Sequence, residues 1–120
     1  MFYKFDQNNG GGYFVTDENL CHRLFIEADN EHEAIEKAEE LGCYWDGVNR
    51  GLDCPCCGDR WDFPDKLDSK HYAWEKHSNI EEFAQSLADR YSWTSPDIRI
   101  FYKNGTVKEI YAREKERTEK

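Results

Sequence analysis

The chain has 120 residues, of which 16 are Lys or Arg and 25 are Asp or Glu, for a net charge of −9. That length suits one domain, and the acidic balance argues against electrostatic binding to DNA, RNA or an anionic membrane, all of which need a cationic surface. Aromatics supply 15% of the residues within a hydrophobic total of 38%, enough to bury a core and to exclude wholesale disorder.

Phe2–Phe5 and Tyr13–Thr16 predict short strands on either side of Asn8-Asn9-Gly10-Gly11-Gly12. The glycine run lacks the GxxxxGK[ST] or GxGxxG spacing of a phosphate cradle and reads as a hairpin loop. Leu20–Ala28 alternates as a strand, with Cys21, Arg23 and Phe25 on one face and His22, Leu24 and Ile26 on the other. Asn30 then stands as an N-cap with Glu33 three residues on, a capping-box arrangement. Ala34, Ile35, Ala38 and Leu41 recur at helical spacing and Gly42 fits the left-handed position beyond the end, which predicts a helix over about 31–41. Its acidic face (Glu31, Glu33, Glu36, Glu39 and Glu40) reads as solvated surface.

A second helix, over about 80–91, is signalled by Asn79 with Glu82 three positions later and by the stripe Ile80, Phe83, Leu87 and Tyr91, and Ser95-Pro96 ends it. Asp97–Lys103 and Thr106–Ala112 predict a hairpin across Asn104-Gly105, a pair suited to a type I′ turn. Ile98, Ile100 and Tyr102 share one side, with Val107, Glu109 and Tyr111 in the returning strand. The expected fold class is α+β, with an antiparallel sheet built from the N-terminal and C-terminal hairpins and two helices. A single domain spans 1–112, with 43–77 a cysteine-rich insertion and 113–120 a charged tail.

The middle carries the chemistry. Cys54-Pro55-Cys56-Cys57-Gly58 has the CPxCG form of a zinc knuckle: thiolates at i and i+3 reach one ion, Pro stiffens the turn, and Gly allows the positive φ that aims N–H groups at sulfur. With His71 and His77 the spacing becomes Cys54-x2-Cys57-x13-His71-x5-His77. Trp61 and Leu67 stand near the aromatic and the leucine of a ββα finger, and Pro64 suits the first turn of a helix carrying His71, beside Tyr72 and Trp74. Residues 52–77 therefore resemble a divergent Cys2His2 zinc finger. The departures are a third thiol, Cys56, which makes Cys54 with Cys56 a competing pair, and histidines six apart, about 240° around a regular helix. Cys43, Cys21 or His22 stand as replacements for either histidine, and the competing reading is reduced cysteines packed as small hydrophobes. S and N ligands favour zinc, and four filled positions make it structural. The helix of such a finger would carry Asp62, Asp65, Asp68 and Glu75 against Lys66, Lys70 and Lys76, a poor match to phosphate, so no direct nucleic-acid binding is expected.

Two further groups are candidate binding residues. Arg60 and Trp61 combine the residue types of recognition hot spots, with a local ion pair and stacking as the alternative. Tyr44 and Trp45 offer aromatic faces just after the first helix, either for a ligand or as a lid over the core. No nucleophile elbow, Walker motif, kinase signature or HExxH pattern is present, so no catalytic residue is expected and the protein reads as non-enzymatic. No run reaches the roughly 18 apolar residues of a membrane-crossing helix, and MFYKFDQNNG lacks a signal peptide's basic and apolar regions, so no membrane partner is expected. Five cysteines are then held reduced in a cytoplasm.

The segment IEADNEHEAIEKAEELG followed by YWDG and DCPCCGDRW resembles small, largely uncharacterised proteins of tailed bacteriophages, over roughly residues 1–62. The resemblance implies a phage accessory protein in a bacterial host cytoplasm, working stoichiometrically by binding a host protein for takeover or anti-defence. The alternatives are a sponge for a small nucleotide signal, with Arg23, Arg60, Tyr44 and Trp45 as contacts, and a DNA mimic that inhibits a host nucleic-acid enzyme.

Overall fold

The computed structural model describes residues 2–8, 14–52, 58–61, 63–67, 79–90 and 94–113. In chain order these form strand β1 (Phe2–Asp6), β2 (Arg23–Glu27), helix α1 (Glu31–Leu41), β3 (Asp65–Leu67), α2 (Ile80–Arg90), β4 (Ile98–Phe101) and β5 (Val107–Ile110). The strands make one sheet in the order β3-β1-β2-β4-β5. Three of its pairings are antiparallel, whereas β2 and β4 run parallel, Arg23 opposite Ile98 and Ile26 opposite Phe101.

The architecture is α+β, but the sheet is mixed, which corrects the expected antiparallel sheet of two terminal hairpins. The C-terminal hairpin forms. The N-terminal one does not: β1 pairs with β2 and β3, and residues 14–16 carry no strand. The reason is a side chain. Gln7 Nε2 donates to Val15 O at 3.0 Å, and Val15 N–H donates to Gln7 Oε1, so one amide occupies the backbone groups a strand partner would have used. The adjacent Gly10–Gly12 loop lies outside the described residues.

The central strands are covered on both faces, so their sequences, RLFI and IRIF, read as near-continuous apolar runs. Tyr3, Phe5, Leu24, Ile26 and Phe101 pack under α1 through Ala34 and Ala38. On the other face Phe25, Ile98, Ile100, Ile110 and Leu67 pack with Ile80, Phe83, Ala84 and Ala88 of α2. Both helices start as capping predicts, since Asn30 Oδ1 accepts from Glu33 N–H at 2.8 Å and Asn79 Oδ1 from Glu82 N–H at 2.9 Å. Gly42 ends α1 at φ +122, with its N–H on Ala38 O and Glu39 O. A Cβ there would also lie 3.1 Å from Leu20 Cδ1, so a side chain would meet crowding as well as the strain of positive φ.

Several local expectations change. The β4–β5 connection is not a type I′ turn, since Gly105 takes positive φ and Asn104 does not. Gly105 N–H donates to Tyr102 O, the three-residue form of hairpin loop. In the returning strand Ile110, opposite Ile98, is the buried residue, while Val107 and Tyr111 are about half exposed. Pro64 does not start a helix, because residues 65–67 are β3, paired with β1. Trp61 and Leu67 are both buried but belong to opposite faces of the sheet, so they do not share the single small core of a ββα finger.

Candidate functional site

The end of β1 and the segment before β3 are tied together first. Gln7 and Trp61 form a β-bridge, Asn8 N–H donates to Arg60 O at 2.7 Å, and Asn8 Nδ2 donates to Asp59 O at 3.1 Å. Arg60 is buried and donates from Nη1 to Gln7 Oε1 at 3.1 Å. Gln7 in turn donates to Cys21 O at 2.9 Å, so the guanidinium sits at the hub of a backbone-holding network. Trp61 is 2% exposed, and among the described residues its indole N–H has no hydrogen-bond partner. Arg60 and Trp61 are therefore framework, while Asp59 Oδ1 reaches across to accept from Val48 N–H at 2.8 Å and fastens the loop that follows α1.

That loop carries the surface feature. Cys43 enters the core beside Leu20 and Cys21. Tyr44 and Trp45, half-buried, pack against the same cluster. The Trp45 ring lies 5.8 Å from Phe5 and stacks on Phe63 at 5.2 Å with 20° between planes. Its Nε1–H donates to Glu39 Oε2 at 2.7 Å. Phe63 itself is 63% exposed. The sheet, loop and β3 approach thus build a platform in which Phe5 backs Trp45, Trp45 backs Phe63, and Glu39 sets a carboxylate beside the indole. Arg50 donates to Trp45 O at 3.3 Å and holds the loop backbone. Sequence reading found Tyr44 and Trp45 but missed Phe63, the member of the stack most open to solvent.

A second polar group is buried at the start of the parallel pair. Asp97, with no exposed surface, accepts from Arg23 Nη1 at 2.7 Å and bonds His22 Nδ1 at 2.8 Å. Thr94 Oγ1 accepts from His22 N–H and donates to Pro96 O, so the cluster closes the turn into β4. The two cations named for a nucleotide, Arg23 and Arg60, are thus committed to Asp97 and Gln7. A cleft of about 240 Å³ opens at the other end of the parallel pair, floored by Ile26, Ala28 and Phe101. Its lysines, Lys37 and Lys103, share the walls with Glu27 and Glu33, which leaves no net charge for phosphate.

The cysteines divide. Burial pushes the Cys21 and Cys43 thiols up to about 12, and Cys21 Sγ donates to Arg23 O at 3.2 Å. Both thiols lie in the core as protonated groups, and His22 is hydrogen-bonded to Asp97. Cys54, Cys56, Cys57, His71 and His77 lie outside the described residues, and among the described residues no cluster of three metal-ligating side chains occurs. Gly58, directly after the second knuckle cysteine, has φ +85.

No described helix is long and apolar enough to cross a membrane. Comparison with curated proteins returns no match, and neither does comparison with solved structures. A family model described as a domain of unknown function, DUF7296, matches residues 1–118, and the chain belongs to that family.

Proposed function

We propose that this protein is a non-enzymatic phage accessory factor that binds and modulates a protein of its bacterial host, acting in the host cytoplasm. The observation that carries the binding reading is the Trp45–Phe63 stack, an aromatic pair fixed to the core with its outer ring 63% exposed. A large apolar ring held in place at the surface loses little conformational entropy on docking, as hot-spot residues do. The phage origin is supported by the run of IEADNEHEAIEKAEELG, YWDG and DCPCCGDRW. A structural zinc on Cys54, Cys57, His71 and His77 is part of the reading. It is supported by the CPxCG spacing and by the positive φ at Gly58, the backbone state a knuckle needs at that glycine.

The nucleotide-sponge alternative is weakened because Arg23 and Arg60 are buried in framework networks. Two assays separate the readings. Immobilised protein should capture a saturable host protein from lysate, and thermal-shift screening against linear and cyclic nucleotides should leave the midpoint in place. A nucleotide that raises the midpoint, with no saturable protein captured, would replace the proposal with the sponge. Capture that competes with DNA and weakens with salt would replace it with the DNA mimic.

A further inference from the structure

We infer that the Trp45–Phe63 stack, with Glu39, is a docking site for an arginine side chain on a basic segment of a partner protein. The inference deepens the binding reading above and rests on it. Two stacked rings present a face of negative potential, which attracts a cation lying within about 6 Å of the ring centroid. Phe63 is the exposed ring, and Trp45 behind it is immobilised by Phe5 and by its hydrogen bond to Glu39. That hydrogen bond uses Oε2 of the carboxylate, and among the described residues Oε1 accepts no hydrogen bond. A planar guanidinium stacks on an aromatic face and hydrogen-bonds a carboxylate at its edge, whereas an ammonium does only part of this.

The surroundings select the same chemistry. Glu36, Glu39 and Glu40 are exposed on α1, and the whole chain carries −9, so a basic segment is drawn in and a phosphate-bearing ligand is repelled. Arg50, the neighbouring cation, is turned to service on the Trp45 carbonyl oxygen.

The test follows the Trp45 indole N–H cross-peak in a ¹⁵N-labelled sample, assigned by Trp45→Phe, while the blocked peptide (Gly-Arg)4 is added. The expected result is a saturable shift, at least fivefold weaker binding in Phe63→Ser and in Glu39→Gln, binding retained in Phe63→Tyr, and weaker binding of (Gly-Lys)4. Glu31→Gln, which removes the same charge from the start of α1, controls for bulk attraction and should leave the affinity within twofold. Equal affinity in the Phe63→Ser and Glu31→Gln variants, equal binding of the Arg and Lys peptides, or a stronger Trp45 shift with an oligonucleotide would each overturn the inference. Failure here with host-protein capture intact would move docking to another surface. Peptide binding without capture would instead overturn the host-protein reading and leave the site standing.

Discussion

Asp97 is the single residue whose replacement should be felt most widely, because one buried carboxylate holds two strands and a turn. Asp97→Asn keeps the volume and one acceptor oxygen but removes the charge facing Arg23, whose side chain is 10% exposed. Asp6, at 3.5 Å and a third exposed, stays beside the guanidinium as a more solvated carboxylate. Removing one member of a buried ion pair costs about 3–5 kcal/mol, against a total stability of roughly 6–18 kcal/mol for a chain of this size. At about 3–5 °C per kcal/mol the midpoint should fall by roughly 9–25 °C. Urea denaturation followed by circular dichroism measures the change, with Arg23→Met and the double variant completing a cycle. The double variant should be less destabilised than the sum of the singles by more than about 1 kcal/mol, because it leaves no charge stranded. A cost below about 1 kcal/mol for Asp97→Asn, or simple additivity, would refute the idea that this cluster anchors the parallel pair.

Three further outcomes are expected. Protein purified without chelator should carry one zinc per chain by elemental analysis, and Cys54→Ser, Cys57→Ser, His71→Ala and His77→Ala should each lose it together with several degrees of midpoint, since structural zinc binding contributes folding energy. Metal retained in both histidine variants would move those two ligands elsewhere. The Cys21 and Cys43 thiols, held protonated by burial, should make the protein less stable in alkali: the unfolded thiols ionise near pH 9 and the folded ones near 12, so stability present below about pH 9 is lost as pH rises through that window. At pH 10 the loss is about 1 kcal/mol per thiol, read as a steeper fall between pH 8 and 10 in the native protein than in Cys21→Ala or Cys43→Ala. Lys108 lies exposed on edge strand β5, where a two-fold antiparallel pairing centred on it would set it against its own copy, so Lys108→Val should raise the apparent mass in sedimentation while the native chain shows no pairing through that edge.

What was legible in the sequence follows the range of the interaction. Both helices were readable because their signals are local: Asn30 and Asn79 cap within three residues, and the apolar stripe repeats at helical spacing. The C-terminal hairpin was readable for the same reason, although its turn type was not, since Gly105 alone takes the positive φ. The parallel pairing of β2 with β4 joins residues more than 70 apart, and β3 is three residues, Asp-Lys-Leu, with no alternation to mark it. A usable hint existed in RLFI and IRIF, whose apolar residues on both faces mark strands covered on both sides. The CPCCG motif and the downstream histidines drew Trp61, Pro64 and Leu67 into a finger, when Trp61 and Leu67 serve opposite faces of the sheet. Phe63 was passed over because it stands between acids and a proline, outside any periodic apolar pattern, and only the loop packing of Trp45 gives it a role.

The most direct measurement of the central claim is a saturation comparison of host-protein capture by the native chain and by Phe63→Ser, both confirmed folded by circular dichroism. Because Phe63 is 63% exposed, the variant should keep its midpoint within about 2 °C. The account predicts that the same host protein is captured with at least tenfold lower affinity by Phe63→Ser. Unchanged affinity in the folded variant would contradict it and remove the Trp45–Phe63 platform from the binding surface.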